Sequence, residues 1–198
     1  MAVTYLATHT SAPTLQDYSR ALRILKYLAG SPTVGIKYTR NRPMTSELHV
    51  DASHMLHASG HGHGGITILV GGCLVFCCSF KLKSITRSSA ESEIVTLDEG
   101  VTYALWTRSL LCALGYPQQS PTVIHQDNKS TIIIATKGGG SFKRTKHMVG
   151  KHSFIQENLL NNKITLKYCP SNQMLADILT KPLTRPQLQS SLNAMKLV

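Results

Sequence analysis

Acidic residues are scarce in this chain of 198 residues, which has 10 Asp and Glu against 21 Lys and Arg and a net charge of +11. This imbalance favours an anionic partner, and nucleic acid is the first class to consider. An anionic membrane surface is the alternative. The scarcity also means that a carboxylate inside an apolar segment needs an explanation, because burial of an unpaired charge is costly.

A regular cysteine framework is absent as well. The five cysteines are an odd number and include no CxxC pair, and those inside apolar runs are expected to pack as small hydrophobic side chains. The pattern predicts reduced, intracellular thiols. No signal peptide is recognisable at the N-terminus, and the most apolar window, residues 66–78, is interrupted by Gly71-Gly72 and is too short to span a bilayer. We therefore expect no membrane partner.

Motifs for several other chemistries are lacking. No Ser/His/Asp or Cys/His arrangement is suggested by spacing, and Gly138-Gly139-Gly140 is not followed by the Lys-Ser/Thr of a phosphate-binding loop. Four histidines at positions 54, 57, 61 and 63 have a spacing that can bind Zn²⁺. Their surroundings are rich in Gly and Ser and contain no acid, so we predict a mobile loop between two strands rather than a metal site.

The order of the predicted elements indicates an α/β fold. Strands are predicted at 47–52, 66–70, 73–80, 122–126 and 164–169, with Gly71-Gly72 as a hairpin turn. Helices are predicted at 89–114, 128–137 and 146–161, and a last helix from Gln173, which Asn172 would cap. A hairpin meander followed by alternating elements predicts a five-stranded mixed sheet flanked by helices.

Residues 1–44 are predicted to be distinct from the sheet domain. Thr14 and Asp17 resemble a capping box, and apolar residues recur at helical spacing from Leu15 to Ala29. A strand-like run comes next, at 34–38. The helix cannot bury its apolar stripe alone, so it either packs on the domain C-terminal to it or belongs to the end of a missing domain.

Four acids lie on four different predicted elements, each with apolar neighbours. Asp51 is in the first strand, Glu91 opens the long helix, Asp127 closes the fourth strand and Asp177 enters the last helix. Such carboxylates can converge at one end of a sheet, where they must be paired or coordinate a cation. Oxygen ligands of this kind suit Mg²⁺ or Mn²⁺. Taken singly, Asp127 is equally explained as the N-cap of the helix that it precedes, and Glu91 and Asp177 as first-turn helix-dipole partners.

Three acids of the long helix compete for the site, and we choose Glu91. Glu91 shares a face with Ile94 and Val95, which we expect to point at the sheet. Glu93 points nearly opposite. Asp98 lies roughly 10 Å further along the axis, which is too far for two ions about 4 Å apart.

Six short motifs occur in one order along residues 47–185. They are Asp51-Ala52; Ser88-Ser89-Ala90-Glu91-Ser92-Glu93; Leu105-Trp106 with Leu110-Leu111; Gln126-Asp127-Asn128-Lys129-Ser130; Arg144-Thr145-Lys146-His147; and Tyr168-Cys169-Pro170 with Leu175-Ala176-Asp177-Ile178-Leu179-Thr180-Lys181. This set resembles the ribonuclease H domain of copia-type long-terminal-repeat retrotransposon polyproteins. Two positions depart from the family's pattern: no Trp follows Asp51 closely, and Val149 stands where an acid is often found.

The resemblance implies a ribonuclease H-like fold and a metal-dependent endonuclease that cuts the RNA strand of RNA–DNA hybrids during reverse transcription. It implies that Asp51, Glu91, Asp127 and Asp177 are the catalytic residues and bind two Mg²⁺ or Mn²⁺ ions. Its partners would be the hybrid and the rest of the reverse transcriptase polyprotein, in the cytoplasm (in a retroelement particle) or in the nucleus.

The resemblance also divides the chain. Residues 1–44 resemble the segment that joins the reverse transcriptase to the ribonuclease H domain, 45–185 the domain itself, and 186–198 are a C-terminal tail. The paired-aspartate motif of the polymerase is absent, so no polymerase activity is expected. Contacts to nucleic acid are predicted around the acid-free basic segment 143–146. The residues assigned to this role are Asn128, Lys143, Arg144, Lys146, His147 and Lys151.

Two alternatives to an active nuclease remain open. The chain is then either a catalytically inactive remnant that still binds nucleic acid, or a structural part of a larger reverse transcriptase.

Overall fold

Five strands form one mixed sheet in the computed structural model, which describes residues 1–39, 42–137 and 146–197. The strands are β1 (Ser46–Ser53), β2 (His63–Val70), β3 (Cys73–Lys81), β4 (Thr122–Gln126) and β5 (Ile164–Tyr168). Their order across the sheet is β3-β2-β1-β4-β5. The pairs β1–β2 and β2–β3 are antiparallel, whereas β1–β4 and β4–β5 are parallel. The predicted fold class is therefore confirmed.

The helices lie on both sides of this sheet. They are α1 (Ala2–Ala7), α2 (Leu15–Ala29), α3 (Ser89–Ala113), α4 (Lys129–Lys137), α5 (Lys146–Leu160), α6 (Asp177–Thr180) and α7 (Arg185–Ala194), with a 3-10 turn at Ser171–Gln173. None of the helices in the described ranges has the length and apolar character needed to cross a bilayer.

The main core lies between one face of the sheet and helices α3 and α5. Leu48 and Val50 of β1 are fully buried there, together with Leu97 of α3 and Ile155 of α5. The backbone of α3 lies directly on the sheet at Gly100, where an added Cβ would be 2.8 Å from Val50 Cγ2. Burial of one such aliphatic side chain contributes about 1.5–3 kcal/mol, so this layer is the main source of stability.

The opposite face of the sheet is covered near β2 and β3 by the C-terminal elements. Leu69, Leu74, Leu175 and Met195 form a second buried cluster. The stretch 186–198, predicted as a tail, thus contains most of α7 and contributes Met195, which is 3% exposed, to this cluster.

Local signals in the sequence were confirmed at the turns and caps. Gly71 and Gly72 join β2 to β3 with positive φ values of 59° and 72°, as the hairpin requires. Thr14 and Asp17 form the capping box of α2. The apolar stripe of α2 is largely exposed in the described chain, with Leu15 at 88% exposure.

The predicted helix from Gln173 was wrong. Residues 171–173 form a 3-10 turn that follows Pro170, and the helix α6 starts only at Asp177. The chain between them is extended at Met174, which lets residues 174–176 bury their side chains. Tertiary burial overrides the helical signal here. The run 34–38 likewise contributes only a single bridge, between Ile36 and Leu197.

Candidate active site

Three carboxylates from three elements meet at one edge of the sheet. Asp51 lies near the end of the central strand β1, Asp127 follows β4, and Glu93 lies in the first turns of α3. One oxygen from each lies within 4.8 Å of the other two, and no other such group of metal-ligating side chains occurs among residues 1–39, 42–137 and 148–197. Because β1 and β4 are adjacent and parallel, their C-terminal ends bring the two aspartates together.

Two of the three acids are almost fully buried, and all three carboxylates lie close together. Asp51 is 1% exposed and Glu93 is 5% exposed. Burial, and in addition the charges of Asp51 and Asp127, raise the pKa of the Glu93 carboxyl well above its ordinary value. Like charges this close disfavour full ionisation unless a cation lies between them.

The glutamate in this cluster is Glu93, so the choice of Glu91 was wrong as a statement of geometry. Glu91 accepts a hydrogen bond from the Arg87 backbone N–H at 2.8 Å, and its own N–H donates to Ser88 Oγ. It therefore belongs to the N-terminal cap of α3. The buried face of α3 is centred on Glu93, Leu97, Gly100 and Ala104, with spacings of four, three and four residues.

Gln126 holds Glu93 in place from the end of β4. Its Nε2 donates to Glu93 Oε2 at 3.2 Å, and its Oε1 accepts from the Asn128 N–H at 3.0 Å. The Gln126 side chain is fully buried. Sequence reasoning missed this residue, although its position next to Asp127 was a signal.

Asp177 lies beside the cluster at the start of α6. Burial raises the pKa of the Asp177 carboxyl to about 6, and Asp51 and Asp127 add to this effect while Lys181 opposes it. Lys181 Nζ is 2.9 Å from Asp177 Oδ1 and 3.3 Å from Asp51 Oδ1. The structure thus brings Asp177 to the same edge, joined to Asp51 through a lysine that sequence reasoning missed.

A close approach of α6 to the sheet makes these contacts possible. Gly65 of β2 pairs with Asp51 across the ladder, and a Cβ at Gly65 would be 2.8 Å from both Leu179 Cβ and Thr180 Cγ2. The hydroxyl of the fully buried Thr180 donates to Asp51 Oδ2. Only a glycine at position 65 allows α6 to come so near, so β2 positions Thr180 against Asp51.

Asp127 is held from the opposite side. Ser171 Oγ donates to Asp127 Oδ2 at 2.9 Å. The cap of α4 is formed by Asn128, whose Oδ1 accepts from the Thr131 N–H at 3.1 Å. The Asp127 carboxylate is therefore not needed as a helix cap.

Several of the predicted nucleic-acid contacts lie outside the described residues. Lys143 and Arg144 lie outside the described residues, as do the side chains of Lys146 and His147. Lys151 forms an ion pair with Asp98 of α3. Its charge is thus compensated within the fold.

Residues 54–62 form a loop between β1 and β2, as predicted, and His57 in this loop and His63 at the start of β2 are buried. His63 is fully buried, and its two ring nitrogens lie 3.0 Å from His57 Nε2 and 2.7 Å from Ser79 Oγ. Burial lowers the pKa of His63 to about 4, with His57 and the N-terminal amine adding to the effect. Both ring nitrogens of His63 therefore have hydrogen-bond partners within the fold.

The sheet order, the helical layers and the three-acid edge define a ribonuclease H-like fold. A solved ribonuclease H1 isolated from compost by a metagenomic approach superposes with a TM-score of 0.51 at 13% identity, over 75% of this chain and 99% of that chain. At this identity the likeness establishes the fold alone. No family model matches the sequence.

Two of the curated relatives are transposon Pol polyproteins. The Retrovirus-related Pol polyproteins from transposons RE2 and RE1 of Arabidopsis thaliana are each 29% identical to this chain over 191 residues, which is 96% of the chain. The chain spans 13% of the length of these relatives. It thus aligns with one segment of each of these longer polyproteins.

Proposed function

We propose that this chain is a ribonuclease H domain that cuts the RNA strand of RNA–DNA hybrids during reverse transcription of a retrotransposon. The proposal depends on one observation: the carboxylates of Asp51, Glu93 and Asp127 meet within 4.8 Å at the edge of a ribonuclease H-like sheet. The Pol polyprotein relatives support the biological setting.

The donor set fits Mg²⁺ or Mn²⁺. All of its atoms are carboxylate oxygens, the kind of ligand that these hard cations prefer. Burial and the neighbouring aspartates raise the pKa of Glu93, so a cation bound at this site would stabilise its ionised carboxylate. Asp51, Glu93 and Asp127 would hold two ions, with Asp177 as the fourth acid. When bound, such ions lower the pKa of a water molecule and stabilise charge on the leaving oxygen.

The protein's own groups prepare this site before substrate arrives. Gln126 orients Glu93, Thr180 orients Asp51 and Ser171 orients Asp127. Hydrogen bonds of this type fix the direction of the carboxylate lone pairs, which positions the ligands without further rearrangement.

Recognition of RNA would depend on 2′-hydroxyl groups and on the groove shape of the hybrid. We assign the grip on backbone phosphate to the basic segment 143–146, on its charge alone. In the described part of the chain, Lys129 is exposed beside Asp127, with its Nζ 4.7 Å from the centre of the Tyr168 ring.

The test is cleavage of a labelled RNA–DNA hybrid with Mg²⁺ by the purified chain and by Asp51→Asn, with single-stranded RNA and double-stranded DNA as control substrates. Loss of an outer-shell partner alone costs about 10–100-fold, so loss of this ligand is expected to cost at least about 100-fold. Asp98→Asn is the matched control, because Asp98 lies on α3 outside the cluster and pairs with Lys151.

Equal cleavage by the purified chain and Asp51→Asn would indicate a contaminating nuclease and end the assignment. Binding of the hybrid without metal-dependent cleavage by the unmodified chain would favour the inactive remnant. Activity that appears only when the polymerase segment is added would favour a structural part of a larger reverse transcriptase.

A further inference from the structure

Lys181 lies between two of the acids. Its Nζ is 2.9 Å from Asp177 Oδ1 and 3.3 Å from Asp51 Oδ1. Among the residues with described side chains it is the only basic group paired with a member of the acidic cluster. One ammonium group therefore balances part of the charge of four neighbouring carboxylates.

The backbone directs this lysine into the site. Lys181 follows the single turn of α6, four residues after Asp177, and its N–H donates to the Asp177 carbonyl at 2.9 Å. The preceding residue, Thr180, is fixed by its hydrogen bond to Asp51. The Lys181 side chain is nevertheless 37% exposed, so its long stem has solvent into which it can turn.

Both oxygens of Asp51 are engaged by this pair of residues. Oδ2 accepts from Thr180 and Oδ1 accepts from Lys181. A divalent ion that binds Asp51 and Asp177 together requires the space and the lone pairs that the ammonium group uses. A cation close to a bound ion also repels it strongly in a partly buried site.

We propose that Lys181 is the internal counter-ion of the metal site and competes with the divalent cation for Asp51 and Asp177. The inference rests on the proposed function, because it presumes that these acids bind metal. In the metal-free protein Lys181 stabilises the clustered carboxylates; on metal binding its side chain swings into solvent. Lys181 thereby weakens the metal affinity of the free protein.

The test is calorimetric titration with MgCl₂ and MnCl₂, without nucleic acid, of the unmodified chain, Lys181→Met and Lys181→Arg. Removal of one partly exposed charge next to the ion is expected to lower Kd for the divalent ion about ten-fold in Lys181→Met. Lys181→Arg keeps the charge and is expected to retain the weaker affinity. The matched control is Lys151→Met, which removes the ion pair with Asp98 and is expected to leave Kd unchanged.

A second measurement does not depend on calorimetry. Lys181→Met is expected to unfold at a lower temperature than the unmodified chain in EDTA and to gain more in Tm on addition of Mg²⁺. Should Lys181→Met not fold, the ¹³Cε resonance of Lys181 in the unmodified chain is followed during a Mg²⁺ titration. A shift supports displacement, and no shift at saturation overturns it.

The two proposals fail in different ways. If hybrid cleavage depends on Asp51 but Lys181→Met binds the divalent ion no more tightly than the unmodified chain, the counter-ion role is refuted and the nuclease assignment stands. If the unmodified chain neither binds the ion nor cleaves the hybrid, the nuclease assignment itself is refuted.

Discussion

The fold buries the carboxyl group of Glu93 beside those of Asp51 and Asp127. Glu93 is 5% exposed, and its partners are a buried glutamine and two aspartates. A buried acid of this kind costs stability unless it binds a cation. Its burial at this edge of the sheet agrees with the metal chemistry proposed for this site.

Glu93→Gln is expected to reduce hybrid cleavage by at least about 100-fold, because it removes a ligand and not only an outer-shell partner. Glu91→Gln is the matched control. Glu91 lies two residues away on the same helix, and its carboxylate accepts a hydrogen bond from the Arg87 N–H. Cleavage by Glu91→Gln is expected to stay within about two-fold of the unmodified chain, at a cost in stability of about 0.3–1 kcal/mol, because one negative charge is lost from the first turn of α3. Measurements of initial rates at saturating Mg²⁺ make the comparison.

The reverse pattern, with Glu91→Gln inactive and Glu93→Gln active, would contradict the geometry. Thermal unfolding of both variants with and without Mg²⁺ separates loss of the fold from loss of the metal. Only Glu93→Gln is expected to lose part of the rise in Tm that the ion gives.

The positions of Asp51, Asp127 and Asp177 could be predicted because each falls at the end or start of an element with apolar neighbours. The choice between Glu91 and Glu93 could have been made from periodicity, since Glu93 shares its stripe with Gly100 and Ala104. Lys181 was missed because its contact with Asp51 joins residues 130 positions apart. No local pattern reports such a contact.

Helix α6 is a single turn, and its place depends on strand β2. Gly65 lets Leu179 and Thr180 pack directly on β2, as an added Cβ would be 2.8 Å from each of their side chains, and Thr180 then reaches Asp51. The helix is too short to be stable alone. Its geometry is therefore imposed by packing, and this explains why the sequence pattern did not predict it.

Gly65→Ala is expected to destabilise the fold by about 1–3 kcal/mol, the usual cost of overpacking. Hybrid cleavage should also fall, because displacement of α6 moves Thr180, Asp177 and Lys181 together. Gly150→Ala is the control: it lies inside α5 with no atom within 4 Å of the added Cβ, and it should stabilise by about 0.5–1 kcal/mol. Urea unfolding and initial rates measure the two effects. Unchanged stability and rate in Gly65→Ala would show that α6 tolerates the methyl group.

By contrast, the β2–β3 hairpin and α3 could be predicted because the signals that specify them are local. Gly71-Gly72 specifies a tight turn, and the long apolar pattern of α3 ends at Gly115 and Pro117. The structure of these elements is therefore specified by residues within or next to them. The elements that position Asp177 and Lys181 depend on distant residues instead.

The N-terminal segment joins the sheet domain through a few specific contacts. Thr4 donates to the Ser79 carbonyl, Tyr5 stacks on His57, and the Lys37 N–H donates to the Lys196 carbonyl. The segment before the predicted boundary at residue 44 therefore contacts the sheet domain at β3, at the loop between β1 and β2, and after α7. The sequence could not show this, since the contacts are few and distant.

The net charge of +11 on one chain, with only ten acids and at least four of them at the candidate site, leaves the remaining surface strongly positive. Binding of the hybrid should then follow counter-ion release, and log K should fall linearly with log[salt] at about −0.9 per phosphate contact.

Lys143→Ala with Arg144→Ala is expected to make the slope shallower by about 1.8. Lys151→Ala should leave it unchanged, because Asp98 already compensates that charge. Fluorescence anisotropy of a labelled hybrid in Ca²⁺, over a range of NaCl concentrations, measures the slopes. Equal slopes for the double variant and the unmodified chain would remove segment 143–146 from the phosphate contacts, and a shallower slope for Lys151→Ala would show that its ion pair opens when the hybrid binds.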